Sequence, residues 1–203
     1  NNKLQSLKGR QKKIISDLGR RQDKIRKEIK NRKEALIKID ILIREIIRKE
    51  SEVSRSDDEN IDLERVSSEF ESLIGKHSWP VSSGFISNKF GEHPHPVIKS
   101  VKVKNDGVDI QTNKSSKVSS IFEGKISTIA FIPGMNNVVI INHGNYFTLY
   151  ARLKNLKIEK DQVISKGHII GDLVTNSDGV TELQFQVWKN NIKLNPEKWI
   201  IKK

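Results

Sequence analysis

The sequence predicts an α + β chain: a long N-terminal helix and a short second helix, then a mainly antiparallel β domain. Three observations predict it. Apolar residues recur at heptad spacing from residue 4 to about residue 53, a second apolar helical face follows over residues 63–73, and from Trp79 onward short β-branched runs alternate with turn signals. The organisation expected is a partial coiled-coil helix over 1–56, an acidic linker or restraining helix over 57–78, and a β domain over 79–203.

The first element rests on Leu4, Leu7, Ile14, Leu18, Ile25, Ile39, Leu42, Ile46 and Val53, which fall on a and d positions of one register. The middle is imperfect. Arg21, Glu28 and Arg32 take core positions, while Ile29, Leu36 and Ile43 form a drifted stripe. Such a helix reaches roughly 75 Å and cannot bury its stripe alone. A partner is therefore expected, either an upstream antiparallel helix outside this chain or a second copy. Its basic residues read as a solvated coiled-coil face, because no aromatic residues are interleaved with them to stack nucleic-acid bases.

The polar stretch SEVSRSDDEN (51–60) ends that helix. Asp57 or Asp58 is the expected N-cap of the second, whose apolar face is Leu63, Val66, Phe70 and Leu73, with Gly75 as its stop. Charge comes in blocks. Residues 1–56 hold 18 Lys/Arg against 8 Asp/Glu, residues 57–78 hold 2 against 7, and residues 79–203 hold 17 against 10. An acidic segment tethered beside a basic domain is expected to fold onto a neighbour.

Beyond Trp79 the candidate strands are 101–103, 108–111, 117–120, 124–131, 137–142, 146–150, 169–173 and 183–189, punctuated by Pro133-Gly134, His143-Gly144-Asn145, Lys166-Gly167 and Asp178-Gly179. The chain has no cysteine, which removes disulfides, thiol catalysis and Cys-ligated zinc. No apolar run of about 18 residues occurs, so no membrane insertion is expected. The sequence opens at Asn1, read as a processed form or a fragment, so a missing signal peptide carries no weight.

An ordered set of landmarks then resembles a known family. Trp79-Pro80-Val81 opens it, followed by Phe90-Gly91, His95-Pro96, Gly107-x-Asp109, Val118 and Gly124, Asn142-His143-Gly144, Tyr150-Ala151-Arg152-Leu153, Lys166-Gly167 with Ile170-Gly171, Glu182-Leu183-Gln184-Phe185, and Asn195-Pro196. The set resembles the M23 (LytM-like) peptidases, zinc enzymes that cut peptide cross-links of bacterial cell walls. The resemblance implies zinc held by a His-x-Gly-x-Asp and the second His of a His-x-His, with two further histidines around the reacting carbonyl. Of those ligands only Asp109 stands here; the other four positions read Asn105, Gln184, Glu182 and Arg152. Neutral carboxamides are poor zinc ligands, and without the metal no hydroxide forms at neutral pH. His93 and His95 lie near the family's substrate groove and are not zinc ligands in the family.

Within that superfamily the layout is most similar to EnvC-type murein hydrolase activators, in which a coiled coil precedes a LytM domain without zinc ligands. That resemblance implies a non-enzyme with no metal and no cofactor, exported to the periplasm or cell envelope. It would bind and switch on a peptidoglycan amidase during cell division. Its coiled coil would meet a membrane-complex anchor through a contact expected outside this chain, and no nucleic acid would be bound. The expected binding surface is the vestigial groove (Asn105, Asp109, Arg152, Glu182, Gln184, His93, His95), restrained by the helix bearing Leu63, Val66, Phe70 and Leu73. The alternatives are a zinc endopeptidase with substitute ligands, or a structural peptidoglycan-binding coiled-coil protein.

Overall fold

The structure is a computed structural model that describes residues 2–53, 63–94 and 102–202. Helix α1 runs unbroken over Asn2–Val53 and α2 over Leu63–Ser72. The strands are β1 (Phe85–Asn88), β2 (Gly91–Pro94), β3 (Lys102–Asn105), β4 (Val108–Thr112), β5 (Lys117–Ser119) and β6 (Gly124–Ile132). They continue as β7 (Asn136–Asn142), β8 (Tyr146–Lys154), β9 (Val163–Ile164), β10 (Ile169–Leu173), β11 (Thr181–Lys189) and β12 (Ile192–Leu194).

The main sheet has the order β1-β4-β11-β8-β7-β6-β9, with β12 beside β11 and β10 joining β8 to β5, while β2 and β3 form a separate hairpin. Among the described residues every strand ladder is antiparallel. Strands β1, β2, β9 and β12 are additions to the expected set. They are two to four residues long, and Gly-Glu-His-Pro has no strand propensity of its own; pairing with β3 makes it one.

Alternation along the strands gives the sheet two buried faces. Val108 and Ile110 of β4, Tyr146 and Tyr150 of β8, and Leu183, Phe185 and Val187 of β11 enter one core, together with Val118 of β5 and Ile170 and Leu173 of β10. The residues between them face the other way: Phe147, Leu149 and Ala151 of β8, Val138 and Ile140 of β7, and Trp188 of β11. Both faces need a cover, and the two helices supply one each.

Helix α2 covers the first face. Val66 and Phe70 are fully buried, and Leu73 packs against the same core. The Phe70 ring sits among His77, His143, Tyr146 and Trp199 at centroid distances of 4.4, 4.9, 5.1 and 5.2 Å. The contact is close because of Gly144 (φ 83°), where a Cβ would collide with the Leu63 carbonyl oxygen and with Ser67. The caps expected at Asp57 or Asp58 lie outside the described residues.

Helix α1 covers the second face. Ala35, Leu36, Ile39, Ile43, Ile46 and Ile47 are buried against Ile132, Met135, Val138, Ile140, Phe147, Leu149, Ala151 and Trp188. The partner expected from outside the chain is thus, for the C-terminal half of α1, the chain's own β domain. A helix lying on a sheet buries a stripe wider than the narrow a/d seam of a coiled coil, which is why the drifted residues Leu36 and Ile43 are inside. Toward the N-terminus Leu4, Leu7, Ile14 and Leu18 are each more than half exposed. Among the described residues no helix is long and apolar enough to cross a membrane.

The core beneath α2 makes folding pH-dependent. His143 Nδ1 bonds the Glu123 carbonyl at 2.5 Å, so Nδ1 carries the proton and Nε2 accepts from Thr148 Oγ1 at 2.8 Å. Burial pushes His143 down to about 4 and lowers His77 as well. The unfolded chain, with histidine near 6.5, therefore takes up protons first as pH falls. Stability is full above about pH 6.5 and declines toward pH 4, with His143 alone contributing a loss of about 2 kcal/mol between pH 7 and pH 5. Urea midpoints across that range should fall accordingly; a flat profile would refute the buried neutral histidine.

Candidate functional site

Asp109 stands between Val108 and Ile110 on β4, so alternation turns its carboxylate onto the face covered by α1. Gln184 is its register partner on β11, and Glu182, two residues away, shares that face. Asn105 ends β3 and reaches the same point: its Nδ2 lies 3.3 Å from Asp109 Oδ2, and its Oδ1 accepts from Gln184 Nε2 at 3.0 Å. Asp109 is completely buried and also accepts from Asn88 Nδ2 of β1 at 2.8 Å.

Arg152 arrives by a backbone device. Its φ is 69°, in the left-handed region that costs a non-glycine residue about 1 kcal/mol. Hydrogen bonds on both sides hold it there, from Arg152 N to the Met135 carbonyl (2.7 Å) and from Val174 N to the Arg152 carbonyl (2.9 Å). So placed, Nη1 donates to Glu182 Oε2 at 2.6 Å and Nη2 stands 3.3 Å from Asp109 Oδ1. Ser87 Oγ donates to the other oxygen of Glu182 at 2.8 Å. Arg152 is thus part of the floor, bound to two carboxylates.

Sequence reasoning missed the residue that completes the site. Arg32 of α1 lies in the buried stripe, four residues before Leu36 and seven before Ile39, and its guanidinium enters the sheet-facing site. Nη2 donates to Asp109 Oδ2 and, at 3.2 Å, to Gln184 Oε1. Two guanidinium groups and two carboxylates then balance, with Asn105 and Gln184 neutral between them. The available signal was the charged residue interrupting an apolar stripe.

Two further anchors follow Arg32 along α1. Glu50 Oε1 accepts from Ser127 Oγ at 2.8 Å and Oε2 from Asn142 Nδ2 at 3.2 Å. Lys193 bridges Asp40 of α1 (2.6 Å) and Asp106 (2.7 Å). Burial raises the Asp40 carboxyl, but hydrogen bonds from Arg44 and Lys193 outweigh that and hold it below the usual carboxylate range.

Zinc does not fit this arrangement. The one carboxylate of the expected ligand set already receives two cationic side chains, and its neighbours Asn105 and Gln184 bond each other through their amides. Among the described residues no group of three or more His, Asp or Glu stands together as a metal site.

The structure brings Asn105, Asp109, Arg152, Glu182 and Gln184 into one cluster. His93, on β2, stands apart from that hydrogen-bonded cluster but lines an open cleft of about 1290 Å³ beside α1 that Arg32, Asp109 and Glu182 also line. His95 lies outside the described residues. The restraining role expected for Leu63, Val66, Phe70 and Leu73 is corrected: their helix lies on the opposite face of the sheet, sealed into the core by Phe70. The element over the cluster is α1.

Residues 103–196 match the model of peptidase family M23. An uncharacterized protein of Neisseria meningitidis serogroup B is 33% identical over 84 residues, which make up 41% of this chain and 14% of that protein. Among solved structures, Helicobacter pylori Csd3 superposes with a TM-score of 0.53 and 29% identity, covering 63% of this chain and 35% of Csd3. A chain of the SpoIIIAH and SpoIIQ complex superposes with a TM-score of 0.52 at 20% identity, over 60% of this chain and 97% of that one, a likeness of fold alone. The matched region therefore spans about a third of Csd3 and a seventh of the meningococcal relative.

Proposed function

We propose, from the peptidase M23 domain that residues 103–196 form, that this protein regulates a peptidoglycan amidase by binding it and does not itself cut the cell wall. The surface of interaction is the groove of Asn105, Asp109, Arg152, Glu182 and Gln184, and α1 is the element that restrains it. One observation carries the reading: Arg32 of α1 is bonded to Asp109 and Gln184, so the groove's floor is occupied by the chain's own helix.

The chemistry agrees with a binding role. The Asp109 carboxylate is fully buried between two guanidiniums, away from an incoming water, and the neutral carboxamides beside it are no bases to activate one. The place of action is the cell envelope, with the exposed N-terminal stripe of α1 meeting an envelope-anchored partner.

The experiment is a dye-release assay on labelled peptidoglycan with three samples: this protein, a candidate amidase, and the two together. The expected result is no release by this protein alone and more release by the pair than by the amidase. Release by the protein alone that is lost on chelation would overturn the reading in favour of an endopeptidase with substitute ligands. Retention on purified cell-wall sacculi, with no effect on any amidase tested, would favour a structural wall-binding protein.

A further inference from the structure

We infer that the outer edge of β6 is a self-association surface, and that its partner is a second copy of this chain. The same strand is added antiparallel, about a two-fold axis through Ala130. The inference goes beyond the proposed function and does not depend on it.

The edge is long and open. On its inner side β6 pairs with β7 from Lys125 to Ile132. On its outer side β9 meets only Gly124 and Lys125, and Ile126 bonds Asp161 and Gln162. After a bulge between Ile126 and Thr128 the strand keeps regular register to Ile132, and among the described residues no backbone bond reaches that stretch from outside. The neighbouring edges are shorter: β1 has four residues and a bulge, and β12 has three. Sheets blunt long edges with lysine, proline or a covering segment. Here residues 126–151 contain no Asp, Glu, Lys or Arg, in a chain where these make up 31%, and Pro133 comes only after the strand has ended. Unpaired backbone along an uncharged, β-branched and aromatic edge is completed by another strand.

Charge and register select an identical strand. Two chains of net charge +12 repel in general, yet along this edge neither brings a charge to the other. Ile129 packs partly on the core beneath α2, while Phe131, two residues on and on the same face, is 68% exposed. With the axis through Ala130, Phe131 of each copy stands opposite Ile129 of the other. That aromatic–β-branched pair is made twice, and Ile132 falls opposite Thr128. Such a contact closes as a dimer and does not propagate. Asp109 on β4 and Gln184 on β11 are separated from β6 by β8 and β7, so both copies keep their site clear of the seam.

The experiment is sedimentation of the full chain over a concentration series, which should show a monomer passing to a dimer. Phe131→Lys should raise the dissociation constant at least about tenfold, since both cross-strand pairs are lost and a charge enters the seam. Its melting temperature should match the parent's, because the ring is exposed. The chain has no cysteine, so single cysteines report the register. Ile129→Cys and Phe131→Cys proteins mixed together should form a disulfide under mild oxidation. Each alone should not, because like positions lie on a diagonal of about 7–8 Å. Ala130→Cys should link to itself. A chain that stays monomeric at every soluble concentration would overturn the inference. So would a dimer that crosslinks neither at Ala130→Cys nor in the mixed pair. A dimer that survives Phe131→Lys but dissolves on Ile14→Lys with Leu18→Lys would assign the contact to α1 and overturn it too.

Discussion

Replacing Ile39 and Ile43 with glutamate should detach α1 and raise amidase activation well above that of the parent chain. Both side chains are essentially fully buried against the sheet. Each contributes about 1.5–3 kcal/mol through apolar burial, and a carboxylate in the same place adds a desolvation cost. A combined loss of roughly 5 kcal/mol shifts the balance between docked and released helix by about three to four powers of ten. The remaining anchors cannot hold the helix by themselves: Arg32 and Asp40 make part-exposed ion pairs and Glu50 two hydrogen bonds to neutral groups, which contribute less than the packing removed. The core on the other face, from Val66 to Ile200, does not touch either residue and should keep its stability. Amide exchange should therefore accelerate along residues 24–50 and stay slow in β8 and β11. If α1 exchanges freely while activation by dye release is unchanged, α1 does not restrain the groove.

Much of the fold was legible because local signals agreed. The long helix has neither proline nor a turn cluster before residue 51, and the β domain's turns sit at its glycine and asparagine pairs. What the heptad reading hid was width. Ala35, Ile39 and Ile46 lie on the a/d register while Leu36, Ile43 and Ile47 lie beside it, and the sheet takes both sets. Two adjacent apolar rows are the mark of a helix on a flat surface, whereas one row is the mark of a coiled-coil seam.

The site residues were legible from the family landmarks, since Asn105, Asp109, Arg152, Glu182 and Gln184 do converge. The element above them was not. The acidic charge of residues 57–78 suggested that α2 lies against the basic domain's groove, yet net charge has no direction. Of the acidic residues described on α2, Glu71 meets Lys189 at 3.0 Å and Glu69 pairs with Arg65 on its own helix. Neither approaches the groove. The better guide was complementarity at a single position: Arg32, one helical turn before the buried stripe that starts at Ala35, and Asp109 between Val108 and Ile110.

Truncating Phe70 separates the roles of the two helices. Phe70→Ala should destabilise the fold by about 3–5 kcal/mol, because a fully buried ring is removed and its neighbours are fixed by other bonds. His143 is held by Glu123 and Thr148, and Trp199 by backbone bonds to Pro196 and His77, so the space cannot close by a simple shift of either ring. The His77 Nε2 bond to the Phe70 carbonyl uses the backbone and survives the substitution, which keeps α2 attached while its packing is lost. Thermal melting should drop by many degrees, with cooperativity retained. Activation per folded molecule, measured well below the melting point, should stay at the parent level, since the ring lies on the face of the sheet opposite Asp109 and α1 remains in place. A restraining α2 gives the reverse pattern: little change in melting and a gain in activation. That pattern would return the restraint to α2 and remove it from Arg32.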